Sequence, residues 1–123
     1  MKRHHSFVKV RYAETDQMGV VHHGNYAEYL EVARLDWLDQ LGVSYKSLEK
    51  EGVMLPVYEL NTKFIKPAYF DDVLRIETQL KELPRVKIEF SYQIFNQFDE
   101  LITTAHTILV FMDSETKRPI RCP

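Results

Sequence analysis

The segment Asn25–Gly42 reads NYAEYLEVARLDWLDQLG, and the prediction of the fold starts from it. Asn25 is a favoured N-cap residue and Glu28 follows three positions later, so the sequence predicts a helix that begins with a capping box at Asn25 and stops at Gly42. One apolar stripe recurs at helical spacing along it: Tyr26, Leu30, Ala33, Trp37 and Leu41. Further apolar residues flank this stripe, which predicts a helix surrounded by other structure over much of its circumference.

The segments on either side of this helix alternate apolar and polar residues, the pattern of half-buried strands. A short second helix is expected over residues 44–50. We expect strands over residues 6–12, 58–64, 74–80, 86–94 and 101–112, joined by short connections that favour antiparallel pairing of consecutive strands. The order of one strand, a long apolar helix and four strands predicts an α+β fold, in which a five-stranded antiparallel sheet packs around the helix.

Length and composition limit the possible functions. A chain of 123 residues with 45% hydrophobic residues is expected to form a single domain over 1–123. A formal charge of −2 argues against nucleic-acid or anionic-membrane partners. Cys122 stands alone, so no intramolecular disulfide is expected. Without a secretory signal pattern or an apolar run of about 20 residues, we expect a cytoplasmic protein that does not insert into membranes.

The richest chemistry lies in residues 13–24, which have no regular period and predict a loop leading to the helix. A carboxylate there, at Asp16, would face the unpaired N–H groups and partial positive charge of a helix N-terminus. Such donors stabilise an oxyanion, and a carboxylate can attack a carbonyl or activate water. The alternative is structural, with Asp16 satisfying its own turn and Asn25 capping the helix. A metal site from Glu14, Asp16, His22 and His23 is a further, weaker alternative.

Other common catalytic patterns are missing. The sequence contains no G-x-S-x-G nucleophile elbow, no P-loop and no dinucleotide-binding fingerprint.

Residues 11–26, RYAETDQMGVVHHGNY, resemble the signature of hotdog-fold acyl-CoA thioesterases of the 4-hydroxybenzoyl-CoA thioesterase type. The resemblance continues through residues 31–34 and 66–72. It implies the hotdog fold and hydrolysis of an acyl-CoA thioester to a carboxylic acid and coenzyme A. No metal or organic cofactor is implied, because coenzyme A enters as part of the substrate.

The resemblance also implies roles for single residues. Asp16 matches the catalytic carboxylate, acting as nucleophile or general base. His23 and Gly24 match positions whose backbone N–H groups polarise the thioester carbonyl, and Asn25 matches the cap that fixes this geometry. His22 departs from the pattern, because an aromatic residue is common at its position, and this bears on the shape of the acyl pocket.

Partners follow from the same resemblance. Candidates for binding the nucleotide end of coenzyme A are Arg85, Lys87, Lys117 and Arg118, with a solvated surface as the alternative. The family forms dimers whose sheets join side by side, often paired into tetramers, so a homodimer or homotetramer is expected. Two other functions stay open: a non-catalytic acyl-CoA or acyl-carrier binding module, and dehydration or hydration of acyl thioesters.

Overall fold

The structure is a computed structural model that describes residues 3–123. Its core is a five-stranded antiparallel sheet with one long helix packed on it, and a two-stranded ribbon stands apart from the main sheet. The α+β prediction is therefore confirmed. The elements are β1 (His4–Lys9), α1 (Asn25–Gln40), α2 (Tyr45–Lys50), β2 (Val53–Met54), β3 (Val57–Phe64), β4 (Val73–Leu80), β5 (Lys87–Phe95), β6 (Leu101–Val110) and β7 (Met112–Asp113).

The strand order in the main sheet is β1-β4-β5-β6-β3, with every neighbouring pair antiparallel. The predicted pairing of consecutive strands holds for β4–β5 and β5–β6 but is wrong for β3, which pairs with β6. Residues 65–72 explain the difference. They leave β3 at one edge and cross the end of the sheet, where the Ala68 carbonyl accepts a hydrogen bond from Val21 N–H (2.9 Å). Strand β3 is therefore a sheet edge.

Helix α1 buries one face against the sheet and leaves the other open. Tyr26, Leu30 and Ala33 of the predicted stripe are buried, with exposures of 3%, 0% and 0%. Leu41, the last member of the stripe, lies just beyond the helix and is exposed, and so is Val32 on the outer face. The expectation that other structure surrounds the helix is wrong for the single chain, because one sheet can cover only one side of a helix.

The N-terminal strand is displaced from its predicted position. Strand β1 covers His4–Lys9, and residues Tyr12–Glu14 form a 3₁₀ turn, so the prediction of a strand over 6–12 is wrong at both ends. Beyond β1, Val10 N–H donates to the Asp72 carbonyl (2.8 Å), and the chain then turns toward the helix. Tyr12, the last residue of the predicted strand, is consequently exposed while Val10 is buried.

The remaining elements follow the sequence closely. Helix α2 confirms the predicted second helix, and its N-cap Ser44 accepts a hydrogen bond from Ser47 N–H through its side chain. Strand β4 alternates as predicted, with Leu74, Ile76 and Leu80 in the core. The β2–β7 ribbon was not predicted, since two residues are too few to show a period. No helix within residues 3–123 is long and apolar enough to cross a membrane.

Candidate active site

A tight turn holds the Asp16 side chain at the surface of the loop before α1. Gly19 N–H donates to the Asp16 carbonyl (3.0 Å), and Gly19 has a φ of 80°, in the left-handed region that favours glycine. Carboxylate atom Oδ1 of Asp16 accepts hydrogen bonds from Met18 N–H (2.8 Å) and Val20 N–H (3.4 Å). The second oxygen, Oδ2, has no partner among residues 3–123. The turn thus fixes the carboxylate while leaving one oxygen free and exposed.

The start of α1 differs from the predicted cap. Asn25 is the first helical residue, not the N-cap, and Gly24 occupies the cap position without a side-chain hydrogen bond. The Asn25 amide Nδ2 instead donates to the backbone carbonyl of Glu14 (2.9 Å), which ties the helix start to the 3₁₀ turn. The prediction that Asn25 caps the helix is therefore wrong. Asn25 does fix the geometry of the helix start, but through this contact with Glu14.

Backbone donors at the helix start are mostly occupied. Asn25 N–H and Tyr26 N–H bond the carbonyls of His22 and His23 at 3.0 and 3.2 Å, and Gly24 N–H donates to His22 Nδ1 at 3.1 Å. Among residues 3–123, His23 N–H has no acceptor. A methyl group on Gly24 would lie 3.2 Å from His22 Nδ1, so glycine here lets the imidazole approach the backbone. His23 N–H is thus a backbone donor at the helix start that is left without an acceptor within residues 3–123.

Glu14, which the sequence suggested only as a metal ligand, is a buried carboxylate that supports this loop. Glu14 is 6% exposed, and its Oε1 accepts from Arg11 N–H (2.9 Å) and from the Tyr29 hydroxyl (2.8 Å). Its Oε2 accepts from the Arg11 guanidinium at 3.0 and 3.1 Å. Burial works to raise the pKa of Glu14, but these hydrogen bonds together with the Arg11 charge hold the pKa below its ordinary value. In the sequence, the only signal for this cluster is the pair of opposite charges at Arg11 and Glu14, three positions apart.

The contacts of Glu14 argue against the metal site suggested at Glu14, Asp16, His22 and His23. Both carboxylate oxygens of Glu14 accept hydrogen bonds from Arg11 or Tyr29 and are not free to bind a metal ion. Across the described part of the chain, no three His, Cys, Asp or Glu side chains come together in a group that could hold a metal ion.

Aromatic contacts fasten the helix start to the edge strand. The His23 ring stacks on Phe64 of β3, with ring centroids 4.4 Å apart and an interplanar angle of 19°. Phe64 in turn meets the Tyr26 ring edge-on at 5.0 Å. The C-terminal end of β3, the helix start and the Asp16 loop therefore share one end of the sheet.

The four basic residues lie at the other end of the sheet. Lys87 begins β5 opposite Val110, the last residue of β6, and Arg85 precedes it. The C-terminal segment with Lys117 and Arg118 joins the same end, because Cys122 N–H donates to the Arg85 carbonyl. Strand β5 has nine residues, so about 27 Å of strand separates this end from the helix start. Within one chain, the structure does not bring the basic residues to Asp16.

Comparison with known proteins identifies the class. Residues 10–123 match the family model described as the thioesterase-like superfamily. The chain is 30% identical over 116 residues to acyl-CoA thioester hydrolase YbgC of Escherichia coli, covering 94% of this chain and 87% of that protein. The crystal structure of DHNA-CoA thioesterase from Staphylococcus aureus is 40% identical with a TM-score of 0.95, covering 98% of this chain and 81% of that one.

A third comparison concerns the fold alone. The structure of a 4-hydroxybenzoyl CoA thioesterase variant in complex with 4-hydroxybenzoyl CoA matches with a TM-score of 0.90 at 23% identity, covering 100% of this chain and 94% of that one. The chain therefore belongs to the thioesterase-like superfamily, as a hotdog-fold enzyme that hydrolyses thioesters. The resemblance seen in residues 11–26 is confirmed.

The Glu14 cluster predicts a dependence of stability on pH. We expect Glu14→Gln to lower the free energy of unfolding near pH 7 by about 1–3 kcal/mol, because glutamine removes the negative charge that pairs with Arg11 and keeps only one of the two acceptor oxygens. The folded-state pKa of Glu14 is lowered, so its stabilisation is complete above the unfolded pKa and disappears as the pH falls through the folded pKa. Urea denaturation near pH 7 and near pH 3 measures both effects.

Glu28→Gln is the matched control, because Glu28 is exposed on the first turn of α1. An equal loss of stability in both variants would show that the Glu14 cluster contributes nothing beyond an ordinary surface charge.

Proposed function

We propose that this protein hydrolyses acyl-CoA thioesters to a carboxylic acid and free coenzyme A, with Asp16 as the reacting carboxylate. The observation that carries the proposal is the fixed turn, in which one Asp16 oxygen is held by backbone N–H groups and the other is free. The relatives named as acyl-CoA and DHNA-CoA thioesterases support coenzyme A thioesters as the substrate class. Its cytoplasmic location stays a prediction.

The proposed chemistry needs a nucleophile and an oxyanion donor. As nucleophile, Asp16 Oδ2 attacks the thioester carbonyl, the C–S bond breaks, thiolate leaves, and water hydrolyses the mixed anhydride. As general base, Asp16 instead takes a proton from the water that attacks the carbonyl. In both routes His23 N–H donates to the developing oxyanion. Gly24 N–H becomes a second donor once the His22 imidazole turns away from it. No step requires a metal or organic cofactor.

Asp16→Asn tests the reacting carboxylate. Asparagine keeps an oxygen acceptor for Met18 N–H, so we expect the turn to persist while kcat falls at least ~10²-fold, the scale for a positioned acid–base or nucleophilic group. Hydrolysis of a panel of acyl-CoA thioesters is measured by the free thiol released.

The control for this prediction is Asp39→Asn, an exposed carboxylate near the other end of α1. Unchanged turnover in a folded Asp16→Asn variant would remove Asp16 from the mechanism. Tight binding of acyl-CoA by the wild-type chain with no hydrolysis would favour the non-catalytic binding module instead.

We further propose that the working unit is at least a dimer joined through β3. This edge strand carries exposed apolar side chains, among them Val57 (49%), Leu60 (45%) and Phe64 (43%). An unpaired edge of this kind favours association with a second strand. A symmetric antiparallel pair would set the partner's Val57 beside Phe64 of this chain, continuing the sheet across both subunits.

The proposed dimer would bring basic residues close to the Asp16 loop, which the fold of one chain does not do. The end of the sheet that carries Arg85 and Lys87 is the end where β3 starts. In the symmetric pair, the basic end of the partner's sheet falls beside the helix start and the Asp16 loop of this chain. The basic residues Arg85, Lys87, Lys117 and Arg118 could then bind the phosphates of coenzyme A across the subunit boundary, and two such dimers could pair into a tetramer.

A charged residue on the edge strand tests the dimer. Leu60→Asp is expected to dissociate the protein, because the carboxylate would be buried against its own symmetry mate. We expect a lower sedimentation mass and a loss of most thioesterase activity, while the circular dichroism spectrum stays unchanged.

Phe7→Asp is the control, since Phe7 is also apolar and 66% exposed but lies on β1, the opposite edge of the sheet. Full activity in a monomeric Leu60→Asp protein would contradict the shared site.

Removing the basic charges tests the coenzyme A assignment. We expect Arg85→Gln and Lys87→Gln each to raise KM for an acyl-CoA by about threefold to tenfold with little change in kcat, because a charge-assisted contact with phosphate is lost. The same acyl group on N-acetylcysteamine, which lacks the phosphates, should be hydrolysed equally well by wild type and variants.

Lys46→Gln on α2 serves as the control for lost surface charge. Equal effects on both thioesters, or no effect on either, would leave Arg85 and Lys87 as ordinary surface residues.

A further inference from the structure

An apolar cavity of about 620 Å³ lies beyond the site described above, between the C-terminal half of α1, helix α2 and the sheet. Its volume falls within the range of about 300–1,000 Å³ typical of ligand pockets. The wall is mainly aliphatic and aromatic: Leu38, Leu48, Leu55, Ile88, Phe90 and Leu109. Asp16 and His23 do not line it, so the cavity is not part of the loop that carries the proposed chemistry.

One charged side chain in the wall of this cavity is buried. Arg34 is 9% exposed, and its Nη1 donates to the Tyr92 hydroxyl at 3.3 Å. The Tyr92 hydroxyl in turn contacts Thr107 Oγ1 at 2.7 Å. Burial raises the pKa of Tyr92, so the hydroxyl stays neutral and cannot balance the charge of the guanidinium. No carboxylate among residues 3–123 forms an ion pair with Arg34, and its other N–H groups have no protein acceptor there.

The unpaired N–H groups of this largely buried guanidinium still reach solvent, so an anion in the cavity can bind them in place of water and balance the charge. The two carboxylates of the cavity wall, Glu31 and Glu49, are exposed and solvated, so they leave the charge unbalanced. Arginine binds carboxylates through two parallel N–H donors, which suits the free donors of Arg34. The surrounding wall would at the same time bury an apolar body.

We propose that this cavity binds a free carboxylic acid with an apolar body, its carboxylate on Arg34 and its hydrocarbon against α1, α2 and the sheet. The ligand belongs to the same chemical class as the acid that the proposed reaction releases. The inference rests on the cavity and Arg34, and it does not depend on the role of Asp16.

Matched ligands test the proposal without any catalytic readout. Isothermal titration calorimetry near pH 7 compares octanoate with 1-octanol, which share the hydrocarbon and differ in charge. We expect the wild-type protein to bind octanoate at least about tenfold more tightly. Arg34→Gln should make the two dissociation constants equal, Arg34→Lys should retain a preference for octanoate, and Lys46→Gln, which removes a charge outside the cavity, should leave the preference unchanged.

If the Arg34 variants do not fold, a variant at Leu38 shows whether the ligand occupies this cavity. Leu38→Trp places an indole in the cavity and should weaken binding of both octanoate and octanol. Equal affinities of the wild-type protein for the two ligands would overturn the proposal, and so would undiminished octanoate binding by Leu38→Trp or a charge preference that survives in Arg34→Gln. Loss of turnover in Asp16→Asn with octanoate binding intact would separate this site from the proposed catalysis.

Discussion

The buried carboxylate of Glu14 is the constraint on which the helix start and its loop depend. Its side chain joins Arg11 to Tyr29, and so binds the chain before the loop to the first turns of α1. Its backbone carbonyl also accepts from His22 N–H and the Asn25 amide, each at 2.9 Å. One residue therefore holds both ends of the loop.

The turn that presents Asp16 is a consequence of this support. With both ends fixed, the chain can close a tight turn in which backbone N–H groups hold one carboxylate oxygen. A structural role and a catalytic role for Asp16 are therefore compatible, because the turn uses its oxygen Oδ1 and leaves Oδ2 for chemistry. Gly24 N–H is likewise occupied, because it donates to His22 Nδ1.

The fold was largely predictable because its signals are local. Helix α1, helix α2 and strands β4 to β6 show their period in neighbouring residues, and the loop before α1 combines glycines with polar side chains. The errors fall where distant residues decide the outcome. Strand β3 pairs with β6 and not with its neighbour in sequence, and Asn25 bonds Glu14 eleven residues away in place of capping its own helix. Arg34 and Tyr92, 58 positions apart, meet only because α1 lies on the sheet.

The α+β class, the thioesterase family and the loop that carries Asp16 could all be predicted from the sequence alone, because periodicity and a contiguous motif involve neighbouring residues. The packing of distant segments determines which of these residues are buried, bonded or free. Glu14 is buried in the core, and His23 N–H has no acceptor within residues 3–123. The basic residues lie at the opposite end of the sheet. The physical reason is that hydrogen-bond partners and burial depend on which distant segments fold against one another, and no local pattern encodes that choice.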